Sequence, residues 1–294
     1  MKLNTQLGAM EMKSMVSFRD DSPELTRRDA LVLRNQGVQK VLSIEQLAQL
    51  HAARLARFAR NGVDRRLWGR LNGCNGTSCP NRVCSAACVF GERREINRLT
   101  REARRLLKGG ERLWSVTIID PNYFREPGRL GDFSMNGMFQ ALRRRIREAP
   151  ANWATAQAVG AIDIAYNRER DGMETWAPHV HLVASIDAGR EEIREVLKPR
   201  RSPPPNLVGA TFRPVKAKPI TNLANAISYA QKSTIDGRGA ILDGRGNTDR
   251  RPLRVPDAAQ LEHDIWLLGM RPRDRSFLSG AMVSRGGVVA RKRG

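Results

Sequence analysis

The sequence lacks any uninterrupted apolar stretch that is long enough to cross a bilayer. Its first residues, among them Asn4, Gln6 and Glu11, also lack the apolar core of a secretory signal. We therefore expect a cytoplasmic protein that does not enter a membrane. With 294 residues, the chain can bury a sizeable core, and its length favours one core domain with smaller appendages over two equal domains.

Acidic residues are scarce compared with basic ones. The chain has 51 lysines and arginines against 30 aspartates and glutamates, which gives a net charge of +21. A positive field of this size attracts polyanions. The charge therefore predicts a nucleic acid as the partner, although it does not distinguish DNA from RNA.

Cysteine is confined to one short segment. The four cysteines are Cys74, Cys79, Cys84 and Cys88. In a reducing compartment, clustered thiols are more often metal ligands than disulfides, so the segment predicts a structural Zn²⁺ site with no open coordination position. The spacing is not the paired C-x2-C of a zinc ribbon, and free thiols, a disulfide or an iron–sulfur cluster remain alternatives.

Histidine is also rare, and two of the four histidines lie one residue apart at the start of an apolar run, as His179 and His181. On a β-strand these two side chains share a face, while Val180 points into the core. Two imidazoles and a carboxylate from a neighbouring strand can hold a divalent cation with open positions for a substrate oxygen. The alternative is a strand on which both histidines are merely polar residues.

Apolar and β-branched runs predict the strands of an α+β fold. The predicted strands are 113–119, 158–166, 176–186 and 210–217, with helices at 134–150, 189–197, 222–233 and 258–270 between and after them. The second and third strands are expected to form an antiparallel hairpin. Asp163 lies mid-strand on its first arm, and Glu169, Asp171 and Glu174 lie at its tip. Which of these carboxylates stands beside the histidines depends on the strand register.

The helix at 222–233 carries Tyr229 and Lys232, which lie three residues apart and so share a face. A phenol is a weak nucleophile at neutral pH, but a metal on a phosphate and a nearby lysine would favour its attack. The alternatives are a core tyrosine and an ordinary solvated lysine. Tyr123 and Tyr166, in a predicted turn and a predicted strand, are expected to be structural.

These residues resemble the HUH (histidine–hydrophobic–histidine) endonuclease superfamily, and within it the rolling-circle replication initiators of plasmids and phages. The resemblance covers about residues 70–235 and rests on 178–182 (PHVHL), 229–232 (YAQK) and the strand at 113–119; the cysteine segment also resembles one that precedes the nuclease domain in some plasmid initiators. It implies a central five-stranded antiparallel sheet of ferredoxin-like or RRM-like type, with the histidines on a central strand. It also implies a catalytic Mg²⁺ or Mn²⁺ ion at His179, His181 and Asp163, nicking of single-stranded origin DNA by Tyr229 to give a 5′-phosphotyrosine, and strand rejoining.

The chain departs from this family in several ways. Asn225 stands one helical turn before Tyr229, where some initiators carry a glutamate, and the helix has no second tyrosine, so the sequence leaves open how the reaction ends. Mobilisation relaxases and single-strand transposases use the same chemistry and remain alternatives. No G-x-x-x-x-G-K-[ST] loop occurs, so unwinding would need a host helicase, and synthesis a host polymerase. The competing class is a non-catalytic, zinc-containing nucleic-acid-binding protein.

The predicted organisation has four parts. They are a helical basic N-terminal region at 1–70, a cysteine-rich segment with an arginine-rich helix at 71–110, the nuclease core at 111–235, and a C-terminal part at 236–294. This last part is expected to contain a mobile Gly/Arg loop, a helix and a disordered tail. In the core, the helix ending at Pro150 is expected to expose a positive face formed by Arg143, Arg144, Arg145 and Arg147.

Overall fold

The computed structural model describes residues 32, 44–74, 112–200, 213–230, 235–242, 248–270, 272–284 and 287–290. Within these ranges the protein is an α+β structure in which helices flank a mixed β-sheet. No helix in the described ranges is long and apolar enough to cross a membrane.

The strands and helices are numbered in chain order. The helices are α1 (Ile44–Arg60), α2 (Arg65–Asn72), α3 (Met135–Arg147), α4 (Arg190–Leu197), α5 (Leu223–Ala230) and α6 (Asp257–Leu268). The strands are β1 (Leu113–Ile119), β2 (Gln157–Arg168), β3 (Glu174–Ser185), β4 (Val215–Pro219), β5 (Asp236–Leu242), β6 (Thr248–Pro252), β7 (Ser276–Ser279), β8 (Ala281–Ser284) and β9 (Gly287–Ala290).

The main sheet has the strand order β4-β1-β3-β2-β5-β6, and β7 pairs with β2 as well. Strands β4, β1, β3 and β2 are mutually antiparallel, whereas β5 runs parallel to β2. The long β2–β3 hairpin lies at the centre, so nearly every residue of both strands is buried. The strand that carries the two histidines is thus a central one.

Helices cover the two faces of this sheet unequally. One face carries Val180 and Leu182 of β3 and packs against apolar residues of α3, α4 and α6 in the main core. The other face carries His179, His181 and Val183 and is covered by the shorter helix α5, whose Ile227 packs on Val183. The histidines therefore lie between the sheet and one end of a single helix.

Helix α1 is held to the core by buried charge. Arg54 and Arg57 of α1 bind the Asp264 carboxylate of α6 at 3.0 and 2.6 Å. Burial raises the pKa of Asp264, and the charges of the two arginines counteract this rise. Phe58, Leu71 and Leu268 form a small apolar cluster beside these ion pairs.

Glu262 of α6 fixes the beginning of β3. Its carboxylate accepts hydrogen bonds from the indole Nε1 of Trp176 at 2.8 Å and from the main-chain nitrogens of Gly128 and Leu130 at 2.7 and 2.6 Å. A carboxylate that accepts three N–H groups satisfies donors that would otherwise be left unpaired at the edge of the core. Helix α6 thereby ties a loop and the histidine strand together.

Most predicted elements are confirmed within a few residues. Strand β1 has the predicted bounds, the β2–β3 hairpin is antiparallel, and Ser134 caps α3 by accepting from the Gly137 nitrogen at 3.1 Å. The predicted helices at 189–197 and 258–270 correspond to α4 and α6. Strand β4 begins later than predicted.

Four expectations need correction. The sheet is mixed rather than wholly antiparallel, and within the described ranges it has seven strands rather than five, because β5, β6 and β7 add to it. The first half of the Gly/Arg stretch expected to be a loop belongs to strand β5, whereas its second half at 243–246 lies outside the described residues. The described part of the tail expected to be disordered forms β7, β8 and β9. Arg145 is buried, not exposed, because it donates to Asp120 Oδ2 at 2.8 Å and to the Leu197 carbonyl at 3.3 Å.

Candidate metal centre and adjoining tyrosine

The strand register brings three candidate ligands together. Asp163 of β2 lies directly across from His179 of β3, so both side chains are on the face that also carries His181. Asp163 Oδ2 is 3.1 Å from His179 Nε2 and 3.5 Å from His181 Nε2. The ligand-type atoms of all three buried residues lie within 4.8 Å of one another.

Each histidine ring is oriented through its other nitrogen. His179 Nδ1 is 3.0 Å from the Ala177 carbonyl oxygen, and His181 Nδ1 is 3.0 Å from the Thr117 hydroxyl of β1. Metal-binding histidines commonly make such a bond with the nitrogen that does not face the metal. Both Nε2 atoms consequently face the Asp163 carboxylate.

This arrangement is suited to a cation. The Ala177 carbonyl can only accept a hydrogen bond, so Nδ1 of His179 carries the hydrogen, and in the neutral ring Nε2 has a lone pair. A lone pair 3.1 Å from a carboxylate oxygen is repelled unless positive charge lies on the ring or between the two atoms. Two imidazole nitrogens and one carboxylate form a ligand set that fits a divalent transition metal or, less strongly, Mg²⁺.

A glycine makes this close approach of the strands possible. Gly160 of β2 lies beside His181, and a Cβ atom at Gly160 would come within 2.1 Å of the His181 carbonyl oxygen. Any larger residue at Gly160 would push β2 away from β3 and would change the distances between Asp163 and the histidines. Gly160 and Thr117 were not predicted from the sequence, because their roles depend on contacts across the sheet.

The competing carboxylates at the hairpin tip are engaged elsewhere. Glu169 binds Arg250 at 2.6 Å, and Asp171 accepts from the Met173 nitrogen at 2.9 Å. Glu174 binds Arg168 at 2.6 Å, and a hydrogen bond from Tyr166, followed by the bonds and charge of Arg168, lowers the pKa of Glu174. None of these three belongs to the cluster around Asp163.

The three tyrosines of the chain have different surroundings. Tyr166 is 1% exposed, and burial, together with Glu174, raises the pKa of its hydroxyl. Tyr123 is half-buried and packs edge-on against Phe133. Tyr229 is 45% exposed, and its ring centroid lies 4.7 Å from that of His181. Tyr229 alone combines access to solvent with contact to the histidine pair.

The remaining predicted site residues are one lysine and the four cysteines. Lys232, Cys79, Cys84 and Cys88 lie outside the described residues, as does the predicted arginine-rich helix at 92–107. Cys74 is half-buried and packs against the small cluster around Phe58 and Leu71. The structural Zn²⁺ site therefore stays a prediction.

Comparison of the chain with models of protein families, with curated proteins and with solved structures finds no match. The interpretation of the site therefore depends on its own chemistry and geometry.

Proposed function

We propose that this protein is a single-strand DNA endonuclease and strand transferase of the HUH type, and that it initiates rolling-circle replication at an origin. The observation that supports this most directly is the contact between the exposed Tyr229 ring and His181, which itself belongs to the Asp163–His179–His181 cluster. A nucleophile in contact with a cation-binding cluster is suited to metal-assisted cleavage of a phosphodiester.

The proposed step begins at the phenol. Tyr229 Oη attacks the scissile phosphorus, the bond from phosphorus to O3′ breaks, and the phenolic proton leaves to solvent while the departing O3′ gains one. The products are a 5′-phosphotyrosine and a free 3′-hydroxyl. Rejoining is the reverse reaction, in which a 3′-hydroxyl attacks the phosphotyrosine and releases Tyr229.

Asp163, His179 and His181 would hold a Mg²⁺ or Mn²⁺ ion. Such an ion supplies positive charge to the phosphoryl oxygens as negative charge develops on them. The protein contributes a buried carboxylate and two imidazoles whose ring orientations are fixed by Ala177 and Thr117. Lys232 is proposed as a phosphate contact.

The test is incubation with a labelled single-stranded oligonucleotide carrying a candidate origin, with and without Mn²⁺, followed by denaturing gels. We expect a covalent protein–DNA adduct that requires the metal. Tyr229→Phe should abolish the adduct while binding is retained, because only the attacking oxygen is lost. Tyr123→Phe is the matched control and should form the adduct. An adduct that persists in Tyr229→Phe would exclude Tyr229 as the nucleophile.

The same gels distinguish the competing class. Binding of single-stranded DNA with neither adduct nor nick, under all metal conditions, would identify a non-catalytic nucleic-acid-binding protein. The proposal includes a host helicase and a host polymerase as partners. A relaxase or transposase role in place of replication would be distinguished by the choice of DNA substrate.

A further inference from the structure

A strip of the sheet beside the cation-binding cluster carries two lysines that the chemistry proposed above does not use. We define the β1–β4 strip as Ser115 and Thr117 of β1 with Lys218 and Lys216 of β4. In the register of these strands, Ser115 lies across from Lys218 and Thr117 across from Lys216. Directly paired residues point to the same side of a sheet. All four side chains therefore lie on the face that carries His179 and His181.

Exposure along the strip rises away from the cluster. Ser115 and Thr117 are half-buried, whereas Lys216 and Lys218 are exposed. Helix α5 packs over β3 and β2 on this face. Strand β4 ends the described sheet on this side. The strip is consequently a polar surface that borders α5 and Tyr229 at one side and ends in the two exposed lysines of β4.

The strip leads directly to the cluster. Thr117 lies across from both Lys216 and His181, and its hydroxyl contacts His181 Nδ1. Two interstrand spacings place the Lys216 and His181 backbones roughly 10 Å apart, a gap that a lysine side chain partly crosses. Lys218 lies two residues farther along β4, roughly 7 Å from Lys216. That separation is comparable with the distance between successive phosphates on an extended single strand.

The charge of the two lysines is not neutralised in the described parts of the chain. No ion pair of Lys216 or Lys218 occurs there, in contrast to Lys198, whose ammonium is 3.8 Å from Glu195. Exposed lysines on a polar surface attract the phosphates of nucleic acid regardless of base sequence.

We infer that the β1–β4 strip binds consecutive phosphates of the single strand, with Lys216 contacting the phosphate nearer the cluster and Lys218 the next one. The inference rests on the proposed function for its choice of single-stranded DNA. It assigns the strip the task of holding the strand in register, so that one phosphate lies within reach of both the Tyr229 hydroxyl and the Asp163–His179–His181 cluster.

The test measures binding rather than cleavage. Fluorescence anisotropy with labelled oligothymidylate is recorded over a range of salt concentrations, in the full chain carrying Tyr229→Phe so that no covalent product forms. Lys216→Met and Lys218→Met should each reduce the slope of log K against log salt by about 0.7, the value for one phosphate contact on a single strand. The same slope implies roughly fivefold weaker binding per lysine at 0.1 M salt.

Lys198→Met is the matched control. It removes the same charge after α4, whose Ile193 and Leu197 pack in the core on the opposite face of the sheet. We expect no change of slope for this variant. An unchanged slope in both strip variants, or an equal change in the control, would overturn the inference.

The results separate this inference from the proposed function. An adduct in the wild-type chain together with unchanged slopes in the variants would support the proposed nuclease and contradict the proposed role of the strip. Reduced slopes without any wild-type adduct would support the strip as a binding surface and contradict the proposed nuclease.

Discussion

At the scale of the residue, a single main-chain contact determines the orientation of the His179 ring. The Ala177 carbonyl fixes which ring nitrogen carries hydrogen, and this leaves the other nitrogen directed at Asp163. The same strand supplies both histidine and carbonyl, so the orientation of the ring does not depend on any distant element.

Removing either ring should affect nicking far more than binding. His179→Ala and His181→Ala are each expected to lower Mg²⁺- or Mn²⁺-dependent nicking by roughly 100-fold or more, because the cluster would retain only two ligands. Rates on a labelled oligonucleotide over a metal titration measure the effect.

His51→Ala, a change in α1 at a distance from the cluster in the fold, serves as the control and should nick normally. Nicking at the wild-type rate by either cluster variant would contradict a metal platform built on these histidines. Retained binding of single-stranded DNA by the variants shows that they remain folded.

At the scale of the secondary-structure element, the attachment of α1 to α6 can be tested by breaking one ion pair. Arg57→Met leaves the Asp264 carboxylate buried with only Arg54 as counter-charge. The loss of unfolding free energy at neutral pH should be about 1–3 kcal/mol, because Arg54 keeps part of the counter-charge. Urea unfolding followed by circular dichroism measures it.

The pH dependence of this loss has a defined sign. Burial raises the pKa of Asp264 in the folded protein, so the cost of ionising the carboxyl appears as pH rises through that pKa. The destabilisation by Arg57→Met should therefore shrink at acid pH, where Asp264 is protonated. Arg60→Met, one turn away, breaks the exposed pair with Asp257 and should cost less than about 1 kcal/mol. Equal losses of unfolding free energy in the two variants would show that burial does not make the Arg57–Asp264 pair more important than the Arg60–Asp257 pair.

The hairpin and its neighbours were predictable because their signals are local. Alternation and β-branched residues indicate β1, and the polar tip at 169–173 indicates the turn between β2 and β3. The Arg57–Asp264 pair joins residues 207 positions apart, and no local pattern predicts it. Strand β5 was missed because its glycines and charged residues are typical of a loop, and its strand structure depends on pairing with β2 and β6.

The candidate site was predictable to a similar extent. Spacing alone placed His179 and His181 on one face, whereas the position of Asp163 across from His179 depended on a register that a shift of one residue would have reversed. Thr117 contacts His181 only because β1 pairs with β3.

Across the whole molecule, the C-terminal part closes the fold by returning to the central hairpin. Strand β7 pairs with β2, and Phe277 is fully buried against Phe139 of α3, with ring centroids 5.4 Å apart. The Arg143 guanidinium lies over the Phe277 ring, 5.3 Å from its centroid. Strand β7 is thus part of the core and not an appendage to it.

Phe277→Ala should lower the free energy of unfolding by about 3–5 kcal/mol, because it opens a cavity beneath β2. Thermal and urea unfolding measure this change. Ile265→Ala, at a 43% exposed position on α6, is the control and should change stability by less than about 0.5 kcal/mol. A cost below 1 kcal/mol for Phe277→Ala would show that β7 contributes little to the core.

The three residues of the cluster all come from the β2–β3 hairpin, and Asp163 and His179 are 179 − 163 = 16 residues apart. Contacts between residues this close in sequence require little loop closure, so they form early when a chain folds. Tyr229 belongs to a helix that follows β4, so its contact with His181 joins residues much farther apart in sequence. When the chain folds, we therefore expect the Asp163–His179–His181 cluster to form before Tyr229 packs against it.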